Sequence, residues 1–165
     1  MKSPKAVPEL FKRVMEAVKV FYGDDLVCVA VFGSAARGTH HPESDLDLLI
    51  VSENLPRGRA KRVLAFMEHV EERLAPELRS LEKKGLRMEL SPVIKTPAEV
   101  RFGSFLFLDM VDEALILHDR DGFFRRYLDD LRAKLKAWGA KKVRRKGGYL
   151  WILKPDLKRG EVLTL

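Results

Sequence analysis

A single cysteine, Cys28, is all the thiol chemistry in this 165-residue chain. No intramolecular disulfide and no Cys-based zinc cluster can therefore form, and its place inside an apolar run predicts a buried, inert thiol. Long hydrophobic stretches are missing as well. The longest, 26–32 and 46–51, are strand-length and far short of the ~20 residues that a membrane span needs. Residues 1–10 carry two lysines and two prolines but no apolar segment of the kind a signal peptide contains. The expectation is a cytoplasmic protein without a membrane. Internal repeats and low-complexity segments are also absent, which excludes solenoid and linker architectures.

What is present is ordinary for a folded domain: 46% apolar and 33% charged residues, too hydrophobic for a disordered chain and long enough for one core. The charge is unevenly spread. Residues 1–130 hold 20 Lys/Arg against 22 Asp/Glu, whereas residues 131–165 hold 11 against 2, so the net +7 is entirely carboxy-terminal. Two readings fit such a tail: attraction to a polyanion such as a nucleic acid or a triphosphate, or a solubilising surface. Trp138, Tyr149 and Trp151 are interleaved with these cations and either stack on bases or pin the tail onto the domain. The organisation expected is a domain over 1–138 and a basic, aromatic extension over 139–165 packed on it.

Apolar residues at Leu10, Phe11, Val14, Val18 and Phe21 recur at helical spacing, which predicts a helix over 8–21 closed by Gly23. The valine-rich run 26–32 and the run 46–51 read as strands buried on both faces. A second amphipathic helix is expected over 57–74, resuming beyond Pro76 to about Lys84 and ended by Gly85. A third strand follows over 87–94, a helical or mixed apolar stretch over 99–111, a short fourth strand over 114–117, and a helix over 123–138. The last segment, 139–165, shows no clear period. This alternation implies an α/β (α+β) layer structure, a mixed sheet of about four strands flanked by helices.

The chemistry concentrates between the first two strands. Asp45 and Asp47 stand two apart where the second strand begins, so the period of two puts both carboxylates on one face of the sheet. Like charges held there repel, and a divalent cation is the natural remedy. Gly33 and Ser34 end the preceding strand. A glycine there lets backbone approach a ligand closely, and a following helical turn would direct its N–H groups at a phosphate. An anion site beside a cation site is what phosphoryl or nucleotidyl transfer uses.

Gly33-Ser34, ten residues, then Asp45-Leu46-Asp47 resembles the signature of the nucleotidyltransferase superfamily that includes DNA polymerase beta. The Gly-Ser-Ala-Ala-Arg-Gly form followed by Ser44 to Val51 looks most like its minimal prokaryotic members, a likeness covering roughly residues 8–95. The resemblance implies a metal-dependent nucleotidyltransferase of the EC 2.7.7 type. Such an enzyme moves a nucleoside monophosphate from a triphosphate such as ATP to an acceptor hydroxyl and releases pyrophosphate, with Mg2+ in a two-metal site. It gives Gly33 and Ser34 to the triphosphate, Asp45 and Asp47 to the metal, and Arg37 to support of the loop and nucleotide. A third carboxylate in an apolar, acidic, apolar pattern is usual for the family. Met88-Glu89-Leu90 fits that pattern, so Glu89 is the candidate for completing the metal site or acting as general base, against the plainer reading of a surface glutamate on an edge strand.

The acceptor is open: a small molecule, an RNA end or a partner protein, with a HEPN-type protein implied by the relatives of this kind. A non-catalytic nucleotide- or RNA-binding module and an antitoxin acting on a HEPN partner are the alternatives. His40 and His41 lack zinc-binding spacing and read as solvated loop residues. His118 reads as a local hydrogen-bonding residue.

Overall fold

A computed structural model describes residues 6–39, 44–145 and 148–165; His40 and His41 lie outside them. Helix α1 (Ala6–Tyr22) puts Leu10, Val14 and Val18 into the interior, as the spacing predicts. Strand β1 (Leu26–Phe32) runs into a single helical turn, α2 (Gly33–Ala36), and β2 (Leu46–Ser52) returns antiparallel to β1. Helix α3 (Arg59–Phe66) continues through a wide π turn, Met67–Glu71, into α4 (Glu72–Glu82). The expected interruption at Pro76 does not occur. The helix runs through it, leaving the Glu72 carbonyl without its N–H donor from four residues on.

Strand β3 (Leu90–Lys95) then pairs parallel with β2, α5 (Pro97–Arg101) and α6 (Leu106–Glu113) follow, and β4 (Leu115–Asp119) pairs antiparallel with β1. The sheet order is β3-β2-β1-β4. Helix α7 (Phe123–Ala137) leads to a separate antiparallel hairpin, β5 (Lys141–Arg145) and β6 (Gly148–Ile152). No helix among the described residues is long and apolar enough to cross a membrane.

Alternation along the central strands divides the interior in two. Val29, Val31, Leu46, Leu48 and Ile50 face α1, α3 and α4, whereas Ala30, Leu49 and Val51 face α5, α6 and α7. A β-bulge between Leu26 and Cys28 lets both Val27 and Cys28 point to the second side. Cys28 is fully buried, and burial drives its thiol pKa upward. Leu48, Leu49 and Ile50 have no exposed surface, and each such side chain contributes roughly 1.5–3 kcal/mol on burial. This is a mixed sheet between two helical layers, the fold class expected.

Two local differences matter. Strand β3 starts at Leu90 and not at 87, because Arg87 and Glu89 lie out in solvent and pair with each other. The hairpin β5–β6 carries no alternating pattern: four of the five residues in β5 are cations. It is nevertheless docked: Trp151 of β6, with Leu153 and Leu165 beyond it, packs against the second core. His118 lies elsewhere, on β4, paired in register with Val29.

Candidate active site

Register explains why the Gly-Ser turn meets the aspartate pair. Phe32 lies opposite Asp47 in the antiparallel ladder, so Gly33 and Ser34, the next residues along β1, stand beside the start of β2. Leu46 and Leu48 are fully buried against the first core, which turns Asp47 to the opposite face, toward α6. Asp45 is exposed and Asp47 half-buried.

Gly33 is held at φ +69°, a conformation that side chains with a Cβ rarely adopt. Space requires glycine too. A Cβ at this position would overlap Asp47 Oδ2 and stand 3.2 Å from its Cγ. The turn and the carboxylate are thus in direct apposition. Burial, and then the charge of Asp45, raise the Asp47 carboxyl pKa, while Arg37 and a hydrogen bond from Ser91 pull it back. Ser34 is half-buried on the first turn of α2, where N–H groups have no acceptor within the helix.

Arg37 closes α2 and reaches across to α6, donating from Nη1 to Glu113 Oε2 at 2.7 Å. Glu113 also receives Lys142 Nζ at 2.8 Å, and that ammonium lies 3.2 Å from Asp109 and over the ring of Tyr149. Trp151 Nε1 donates to Asp109 at 3.0 Å. Lys142 and Trp151 are cross-strand partners in the hairpin, so the carboxy-terminal hairpin is tied through α6 to the arginine of the turn.

Glu89 is the residue that the structure does not bring to the pair. It stands one residue before β3, and its carbonyl accepts the Leu46 N–H, between the two aspartates, at 2.8 Å. Its carboxylate, however, is paired with Arg87 at 3.2 Å and is 68% exposed. Among the described residues no three His, Cys, Asp or Glu side chains converge to hold one ion. The geometry therefore joins Gly33, Ser34, Arg37, Asp45 and Asp47 and leaves Glu89 at the sheet edge.

Sequence reasoning missed Ser91, Glu113 and Lys142. Ser91 was accessible to it, since Ser91 pairs in register with Asp47 and is a polar residue in a short apolar strand. The other two are joined only by tertiary packing.

A carboxylate pair apposed to a glycine turn, with an arginine beside it, is chemistry suited to gripping a polyphosphate and a divalent cation. Comparison with known proteins gives the family. Residues 11–106 match the family described as "Nucleotidyltransferase domain", and the chain belongs to it: it is a nucleotidyltransferase. A relative in Methanocaldococcus jannaschii, named "Putative protein adenylyltransferase", is 29% identical over 134 residues, 80% of this chain and 85% of that protein. Two solved structures resemble the chain loosely. One is a toxin-antitoxin with AMP-PNP, at 18% identity, TM-score 0.44, and 77% and 93% of the two chains. The other is a tri-AMPylated Shewanella oneidensis HEPN toxin with its MNT antitoxin, at 14% identity, TM-score 0.39, and 80% and 91%.

Proposed function

We propose that this nucleotidyltransferase is a metal-dependent protein adenylyltransferase, moving AMP from ATP onto a hydroxyl of a protein acceptor. The observation that carries the reading is the apposition of Asp47 to Gly33, which leaves no room for a Cβ between carboxylate and turn. The relative's name supports the choice of AMP and of a protein acceptor.

Asp45 and Asp47 would hold Mg2+. Two carboxylates completed by substrate phosphates suit this ion, which favours oxygen ligands and seldom takes an all-protein cage. Bound there, the ion would supply positive charge to offset that developing on the phosphates during transfer. Gly33, Ser34 and the first-turn N–H groups of α2 grip the triphosphate, and Arg37 adds positive charge beside it. The acceptor oxygen attacks the α-phosphorus, a new P–O bond forms, and the bond to the β-phosphate breaks to release pyrophosphate. Glu89 takes the hydroxyl proton as general base once its carboxylate swings from its exposed pair with Arg87 toward the acceptor. We take residues 139–165 as part of the same domain, a reading supported by Trp151, Leu153 and Leu165 packing against the second core.

Incubation with each of the four nucleoside triphosphates, Mg2+ and candidate proteins, followed by intact mass analysis, tests this. A HEPN-type protein encoded beside it is the first acceptor to try. One AMP added to a Ser, Thr or Tyr of the acceptor, and absent with Asp45→Asn, is the expected result; transfer only to RNA ends or small molecules would overturn the protein-acceptor reading.

A further inference from the structure

A groove of about 540 Å³ lies between the α3–α4 helix and the segment leading into β3. Its floor is apolar. Leu64 and Met67 are 57% and 47% exposed on the helix side, facing the buried Met88. Five glutamates and two arginines line it, an acidic surface on a protein whose net charge is +7. Glu68 and Glu71 have no cationic partner among the described residues, and the carboxylate nearest Glu71 in effect is another anion, Glu89, which joins burial in raising the Glu71 pKa.

The π turn Met67–Glu71 forms part of this wall. Such turns widen a helix locally and recur at functional sites. Here it carries an apolar anchor, Met67, and two unpaired carboxylates into the same groove. The groove ends at Glu89, whose carbonyl holds the Leu46 N–H between the two aspartates, so an occupant is led to the edge of the transfer site.

We propose that this groove docks a basic amphipathic segment of the acceptor protein, its apolar side chains on Leu64, Met67 and Met88 and a Lys or Arg against Glu68 and Glu71. The proposal rests on the protein-acceptor reading above and adds where the acceptor is recognised. The mode is that of an amphipathic helix lying in an apolar groove, with charge setting its orientation and sign preference.

Fluorescence anisotropy with a labelled amphipathic Leu/Lys peptide tests it, together with NMR of methyl-labelled methionines. The peptide should bind and shift the methyl signals of Met67 and Met88 while leaving those of Met15 and Met110, in the two cores. Binding should weaken at least tenfold in Glu68→Lys/Glu71→Lys and in Leu64→Gln, with ATP affinity unchanged in both. Equal binding by these variants, equal binding of a Ser/Lys peptide of the same charge, or shifts confined to other methionines would overturn it. Self-association of the protein that the peptide displaces would assign the groove to a second copy and overturn it too. Failure of ATP binding in the unaltered protein, with peptide binding intact, would instead sink the transfer reading and leave the groove as a docking site.

Discussion

The two ends of strand β2 solve opposite problems. At the far end, Ser52 is fully buried and its Oγ donates to the Asp25 carbonyl at 3.1 Å, while Asn54 donates to the Asp25 carboxylate at 2.9 Å. Arg62, only 10% exposed, donates to the carbonyls of Pro56 and Ile94 and to Glu99 at 2.7 Å, and Glu99 closes a capping box with Thr96 at the start of α5. Every buried charge there has its complement. At the near end, two aspartates lie side by side, one against a left-handed glycine, with an arginine held off by Glu113. One end is arranged for folding. The other carries charge repulsion and a turn that only glycine fits, which folding alone does not explain, and function is the reason to keep them.

The sharpest way to break this contrast is to remove the repulsion. Asp47→Asn should lower transfer by about two to four orders of magnitude if the carboxylate acts in the reaction, yet melt at or above the parent temperature without Mg2+. The parent should gain thermal stability from Mg2+ and more from Mg2+ with ATP, since a ligand that binds only the native state stabilises it; the variant should gain little. Calorimetry and a turnover assay check both. A variant that unfolds, or that answers Mg2+ as the parent does, makes Asp47 a structural residue and erases the difference between the ends.

Gly33→Ala tests the backbone half of the claim. The left-handed conformation costs a residue with a Cβ about 1–2 kcal/mol, and Asp47 must also move aside. The expected outcome is near-complete loss of ATP binding with a stability loss of only that order, seen by equilibrium dialysis and denaturant titration. Loss of fold without a folded, inactive state would contradict it.

At the far end the expected signs reverse. Arg62→Ala removes three hydrogen bonds from a nearly buried guanidinium, and Glu99, 43% exposed, remains partly solvated. Stability should fall by about 1.5–3 kcal/mol, while turnover per folded molecule stays within about twofold at a temperature where both proteins are folded. A turnover loss matching that of Asp47→Asn would show that the two ends are coupled. A smaller effect belongs to Glu113→Gln. Removing that anion frees Arg37 beside the bound triphosphate, and ATP should bind tighter by no more than about fivefold, the scale of a partly exposed ion pair.

Much of this was legible in the chain. The runs of β1 and β2 are bounded by turn residues and buried on both faces, so their ends were readable to within a residue, and the ten residues between Ser34 and Asp45 fixed which side chains would meet. Two things were hidden. The hairpin β5–β6 is built from cations on one strand and bulky residues on the other, and its docking depends on Asp109 and Glu113, remote in sequence, so no local period announces it. Glu89 obeys the local pattern of an apolar strand. Yet the strand begins one residue later and its carboxylate is taken by Arg87, a choice made by neighbours that periodicity does not see.

The smallest effect sharpens the contrast through pH. Glu99 has its carboxyl pKa lowered, first by the hydrogen bond from Arg62, so its folded form favours the charged state more than the unfolded chain does. That contribution is present above the ordinary glutamate range and is lost as pH falls through the lowered value. Asp47 is shifted the other way, by burial and by Asp45. Between the ordinary aspartate value and its raised one, the native state binds the extra proton, so the folded protein gains stability as pH falls through that window and loses it as pH rises. In the metal-free protein the two ends therefore oppose each other in mild acid. Asp47→Asn deletes only the opposing member, so its stability should fall more steeply than the parent's as pH drops from neutral toward the ordinary aspartate range. Arg62→Ala deletes the other and should fall less steeply. Denaturant melts of all three proteins across that range, without Mg2+, check the slopes. Parallel curves would mean that Asp47 titrates as a solvated surface carboxylate, and the repulsion assigned to the near end of β2 would not exist.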